Sequence, residues 1–110
     1  MSRSSTTTGE ERMAPLHPGE ILVEDFMKPL GLSQCGLGRA LGVPPRRINE
    51  IVHGKRAVTA DTALRLARFF NTSAELWMGL QSDYELDVAE RSLAARINQE
   101  VRPLSLAESS

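Results

Sequence analysis

Gln34-Cys35-Gly36-Leu37-Gly38-Arg39-Ala40-Leu41-Gly42-Val43-Pro44-Pro45-Arg46-Arg47-Ile48-Asn49-Glu50-Ile51-Val52-His53 is the stretch on which the reading of this chain turns. Ser33 is suited to cap a helix over 34–41, with Leu37 and Leu41 pointing inward and Gly42 ending it. A second helix starts at Pro44–Pro45, where a missing N–H is no loss, runs through Ile48 and Ile51–Val52, and stops at Gly54. Only two or three residues join the two, which forces a sharp angle between them. Such a crossing needs a small residue midway along the first helix, a glycine where the turn goes left-handed, and apolar inward positions. Gly38, Gly42, and the set Leu37, Leu41, Val43, Ile48 and Ile51 meet these demands. Gly36 and Gly38 each cost a helix about 1 kcal/mol relative to alanine, a cost expected where another backbone must approach closely. Residues 33–53 therefore read as a helix-turn-helix unit.

The outward face of the second helix carries Arg46, Arg47, Asn49, Glu50 and His53, with Lys55 and Arg56 just beyond. Arginine pairs in bidentate fashion with guanine O6/N7 and asparagine with adenine N6/N7 in the major groove. Two of these, Arg46 and Arg47, lie near the start of the helix, the end that enters the groove in such units, and both they and Asn49 are expected to read bases. Glu50 has two roles open to it. It can accept from cytosine N4, or it can hold Arg46 or Arg47 through an intrahelical ion pair, which the spacing favours. Gln34, Lys55 and Arg56 are expected on phosphates, and His53 on the helix C-terminal dipole.

Outward from this unit, Pro18, Ile21, Leu22, Asp25 and Phe26 form a helix over about 18–28, stopped by Pro29 and Gly31. Thr59 caps a helix over about 60–70, whose Ala63, Leu66, Ala67 and Phe70 make one stripe, and Asn71 suits the left-handed position after it. Ser73 caps a last helical region in which Leu76, Trp77, Leu80, Tyr84 and Val88 recur at near-heptad steps. Leu93, Ile97 and Val101 continue after a small phase shift, which leaves open whether the last helix is continuous or bends or breaks near 83–92. Arg102–Pro103 ends the pattern. The fold class is all-α, with five or six helices and a C-terminal helical extension. Met1 to about Ala14 is nearly free of apolar residues and is expected to be a disordered tail, leaving one domain over 15–104.

Charge supports a nucleic-acid partner by its distribution. The 110-residue chain has a net charge of −1. Residues 1–38 are net −2, residues 39–68 net +5, and residues 69–110 net −4. A basic island in an acidic chain is the footprint of a phosphate-binding face. The single Cys35, read as an ordinary thiol, forbids an internal disulfide and suits a reducing cytoplasm. No signal peptide or membrane-length apolar run is present, so a cytoplasmic location with no membrane partner is expected. His17, Cys35 and His53 are too scattered for a zinc site, and no nucleophile–base set, paired carboxylates or phosphate loop appears. Neither a cofactor nor an enzymatic activity is expected. Trp77, Leu80 and Tyr84 are spaced as a helix face, which favours a buried core or subunit contact over an aromatic nucleic-acid platform.

The chain resembles the HigA-type antitoxins of the Cro/repressor-like helix-turn-helix class. The matching stretches are His17-Pro18-Gly19-Glu20-Ile21-Leu22, the run from Gly42 to Arg56, the run from Thr59 to Ala67, and Ser73, Trp77, Leu80-Gln81 and Tyr84-Glu85-Leu86 in order. They span about residues 17–104. Gly79, where the family usually has a polar helix former, and Asn71, where glycine is common, depart from the pattern. The resemblance implies a dimer that binds double-stranded operator DNA, represses its own operon and neutralises a HigB-type toxin, an mRNA-cleaving ribonuclease of RelE-like fold. A stand-alone regulator without a toxin is the nearest alternative. A protein-interaction adaptor is a more distant one, which the paired arginines of the second helix disfavour. The region after Ser73 is expected to hold the dimer together, and truncation after about Gln81 to leave the first four helices folded.

Overall fold

The computed structural model describes residues 14–105, so the expected tail over 1–14 lies outside the described residues except for Ala14. Five helices account for the architecture, and no strand occurs among the described residues. Helix α1 covers 18–30, α2 Gln34–Leu41, α3 Pro45–Val52, α4 Ala60–Phe70 and α5 Ala74–Glu100. The all-α expectation is met, with α2 and α3 in the expected helix-turn-helix arrangement.

Caps explain most of the boundaries. Ser33, Thr59 and Ser73 each accept a hydrogen bond from a backbone N–H in the first turn they precede, a contribution of about 1 kcal/mol apiece. At the α2–α3 turn Gly42 takes φ +72°, and Val43 N–H returns to the Gly38 carbonyl at 2.9 Å. A Cβ at Gly38 would stand 3.0 Å from the Val43 carbonyl oxygen and 3.2 Å from two backbone atoms of Pro45. The close crossing that glycine allows is therefore real at Gly38. It is absent at Gly36, where a Cβ would meet only the Ser33 hydroxyl. Asn71 adopts φ +59°, the left-handed residue expected after α4.

Three boundaries differ from the sequence reading or settle what it left open. Helix α1 runs on to Leu30 through Pro29, because Leu22–Met27 is wound as a π-helix between two α-helical ends. Proline lacks an N–H, and its ring collides with the carbonyl four residues back in an ordinary α-turn. The wider turn relieves that conflict, with Lys28 N–H reaching back five residues to Val23. Gly31, at φ +65°, then ends the helix. Second, Pro44 is the cap of α3 and Pro45 its first residue. Third, α5 is one unbroken helix of 27 residues, with no break near 83–92. Helical backbone continues past the phase shift, so the apolar pattern moves to another face of one helix.

The core gathers Leu22 and Met27 of α1, Leu37 and Leu41 of α2, Val43, Ile48 and Ile51 of the turn and α3, Val58, Ala63 and Leu66 around α4, and Trp77 of α5. Phe26, Phe70 and Trp77 form an aromatic cluster with ring centroids 4.8–6.4 Å apart. Trp77 is fully buried and donates its indole N–H to Thr72 Oγ1 at 2.9 Å, so it belongs to the core and to no exposed platform. Gln81, also buried, accepts from the Val58 N–H at 2.8 Å. Tyr84 meets His17 edge to face at 4.8 Å. A chain cut after Gln81 would keep Trp77 and Gln81 but lose the Tyr84 contact on His17. Beyond Val88, α5 leaves the body of the protein. Leu86, Leu93 and Ile97 are exposed, and at about 100° per residue they lie roughly half a turn from the face of Trp77, Gln81 and Tyr84. Among the described residues no helix is long and apolar enough to cross a membrane.

Candidate nucleic-acid interface

Helix α3 is placed by both of its flanks. Ile48 and Ile51 are wholly buried beneath it, and Gly19 of α1 touches its far end so closely that a Cβ there would overlap the Ile51 carbonyl oxygen. Gly19 is held by His17, whose Nδ1 accepts the Gly19 N–H at 2.9 Å. Burial pushes the His17 imidazole below its ordinary pKa, against smaller upward pulls from the Glu20 carboxylate and a hydrogen bond with the Arg56 backbone. A neutral ring is what this position needs, since Nδ1 must keep its lone pair to accept.

With its inner face so committed, α3 presents the expected outer face to solvent, and the side chains there are organised into three contacts. Asn49 Nδ2 donates to Gln34 Oε1 at 3.0 Å, tying the middle of α3 to the first turn of α2. Glu50 accepts from Arg46 Nε at 3.1 Å and from Arg56 Nε at 2.7 Å. The Arg56 guanidinium holds the Glu50 carboxyl below the usual carboxylate range against a smaller cost of desolvation, and Arg46 adds to the lowering. Arg47 turns the other way and donates from Nη1 to Asp61 Oδ2 at 3.1 Å.

All seven residues singled out from the sequence are thus accounted for. Gln34 and Asn49 are joined, Arg46, Glu50 and Arg56 are joined, and Arg47 stands apart on a contact with α4. Lys55 is exposed in the loop beyond α3. The ion pair foreseen for Glu50 forms with Arg46 and recruits Arg56, while the alternative partner Arg47 is taken by Asp61. Arg46 extends into solvent with 86% of its side chain exposed, against 30% for Arg47. His53 Nδ1 lies 2.8 Å from the Asn49 carbonyl, as expected of a residue closing the helix C-terminus. Sequence reasoning missed Asp61 and Arg65. Their mutual spacing of four residues was readable as an ion pair, but nothing local links either to Arg47, fourteen residues before Asp61. Among the described residues no group of His, Cys, Asp and Glu is arranged to hold a metal ion.

Comparison with known proteins agrees with this arrangement. The family described as helix-turn-helix matches residues 23–77. Virulence-associated protein I of Dichelobacter nodosus is 51% identical over 87 residues, covering 79% of this chain and 81% of that protein. The structure of Pseudomonas aeruginosa antitoxin HigA with the higBA promoter superimposes with a TM-score of 0.81 at 44% identity, covering 83% of this chain and 99% of that one. Antitoxin GraA in complex with its operator gives a TM-score of 0.80 at 40% identity, over 91% and 98% of the two chains. The chain belongs to the Cro/repressor-like helix-turn-helix family, and its relatives by sequence and structure include HigA-like antitoxins.

Proposed function

We propose that this chain is the antitoxin of a toxin–antitoxin pair, which binds double-stranded operator DNA as a homodimer, represses its own operon and neutralises a HigB-type mRNA-cleaving toxin. The observation that carries the reading is the outer face of α3. Arg46, Arg47 and Asn49, the residue types suited to guanine and adenine edges, stand on a helix fixed from beneath and bracketed by Gln34, Lys55 and Arg56, which suit phosphates. The promoter-bound and operator-bound relatives support it. They also weigh against the adaptor reading, because their helical scaffold is the one seen here.

One such unit buries only about 600–1,000 Å² on DNA, which is little for tight specific binding. A two-fold dimer places two recognition helices about 34 Å apart along one face of the duplex. The exposed Leu86, Leu93 and Ile97 of α5 are the surface proposed for that self-association, and the acidity of this region keeps it away from phosphates. Co-expression with the adjacent reading frame tests the toxin half of the proposal. A basic partner of about 90–100 residues, the size usual for the toxin family implied here, should co-purify, and its growth inhibition should be relieved. Failure of both would leave a stand-alone regulator.

A further inference from the structure

The two acidic residues of the basic island, Glu50 and Asp61, do not merely dilute its charge. Each grips one nitrogen of one arginine on α3 and ties it to a second arginine outside that helix. Glu50 takes Arg46 by Nε and holds Arg56. Asp61 takes Arg47 by Nη1 and holds Arg65, whose Nε lies 3.1 Å from both carboxylate oxygens. Arg65 is anchored in turn, donating from Nη1 to the Leu41 carbonyl at 2.8 Å, one of the carbonyls left without a helical partner at the end of α2. The chain of contacts runs from α3 to α4 and back to α2, so the Arg47 guanidinium is referenced to the body of the fold. With Nη1 engaged, Nε and Nη2 remain as one free two-donor edge, the pair needed to bond guanine O6 and N7 together.

We propose that Asp61, backed by Arg65, is a specificity-determining positioning residue: it fixes the plane of the Arg47 guanidinium so that its free edge meets a base already oriented. The inference rests on the DNA-reading proposal above. Asp61 does not act as a gate that releases Arg47 only to the right sequence. Breaking the pair on binding would cost the same at every sequence where it breaks, and would add no discrimination. A retained pair does add discrimination. The freedom of a long side chain is given up before binding, and the benefit is collected only where the base edge matches the preset geometry.

A simple electrostatic role predicts something different. Removing a carboxylate from a phosphate-facing surface should tighten binding to all duplexes together. The test compares the duplex that the wild-type protein enriches from a randomised pool with a shuffled duplex of the same composition, using the full chain. Asp61→Ala should tighten the shuffled duplex, yet lower the ratio of enriched to shuffled affinity roughly three- to tenfold. In an Arg47→Ala background the same substitution should leave the ratio unchanged, because the double-mutant cycle isolates the coupling. Asp61→Asn, which preserves shape at the start of α4, gives a second route to the measurement, and thermal melting of each variant reports on folding. Equal tightening on both duplexes, or an equal loss of ratio with Arg47 absent, overturns the inference. A wild-type protein that enriches no sequence removes the DNA-reading proposal and this inference with it. Enrichment by wild type with an unaltered ratio in Asp61→Ala removes only the inference.

Discussion

The two halves of α5 are built on opposite principles. Up to Tyr84 one face of the helix is built into the chain: Trp77 is packed among Phe26 and Phe70, Gln81 satisfies the Val58 N–H, and Tyr84 lies on His17, while Leu76 and Met78 on other faces are exposed. In the second half Leu86, Leu93 and Ile97 lie exposed on the opposite face, and the helix is held by its own backbone and by pairs such as Arg96 with Glu100. An isolated helical segment of this length is marginal in water. The exposed Leu86, Leu93 and Ile97 are the surface proposed above for self-association. The first half holds the fold, and the second is proposed to hold an assembly.

Substitutions should separate the halves. Trp77→Ala removes a wholly buried side chain and should destabilise the folded chain by about 3–5 kcal/mol, read by urea denaturation. Gly19→Ala should cost about 1–3 kcal/mol or more, because a Cβ there meets backbone that cannot yield as a side chain would. By contrast, Leu93→Ala should change the stability of dilute protein by no more than about 0.5 kcal/mol while weakening self-association, measured by sedimentation. If Leu93→Ala destabilised dilute protein as much as Trp77→Ala, the division of α5 would be wrong. Truncation after Ala89 should likewise leave α1–α4 folded and abolish the proposed self-association. Truncation after Gln81 should unfold the chain in part, because Tyr84 and the turn that orients Gln81 are lost.

A smaller effect is expected at the seam where α1, the loop after α3 and α5 meet. His17 is held neutral by burial, so the unfolded chain takes up its proton first as pH falls. Stability should be at its full value above the ordinary imidazole pKa of about 6.5. It should then decline as pH falls toward the lowered native value, by up to about 1.4 kcal/mol per pH unit. His17→Gln should be less stable at neutral pH and lack this component of the slope below about pH 6.5. Parallel stability curves for the two proteins would show that the ring carries no linked proton.

How much of this was legible in the sequence follows from the range of the contacts involved. Caps and left-handed turns, set by one to four neighbouring residues, were readable at Ser33, Gly42, Thr59, Asn71 and Ser73. The outer face of α3 was readable because helical period alone sorts Ile48 and Ile51 from Arg46 and Asn49. The π-turn in α1 was not, since Pro29 announces a disturbance but not whether the helix stops or widens. The split role of the paired arginines was hidden as well. Arg46 finds Glu50 one turn away, whereas Arg47 finds Asp61 only after α4 has folded against α2. The phase shift between Val88 and Leu93 is visible in the sequence, but spacing alone does not separate a break in the helix from a change of face on a continuous one.

The central claim is that α3 and its flanking basic residues bind duplex DNA, and the salt dependence of that binding tests it most directly. If a dimer neutralises roughly 6–10 phosphates, affinity for the enriched duplex should fall about 10³–10⁵-fold between 50 and 200 mM salt. Lys55→Ala should reduce the slope by about one unit on every sequence, and Arg46→Ala should cost about 1–3 kcal/mol on the enriched duplex alone. An affinity that ignores salt, or no binding to any duplex in the pool, would contradict the account.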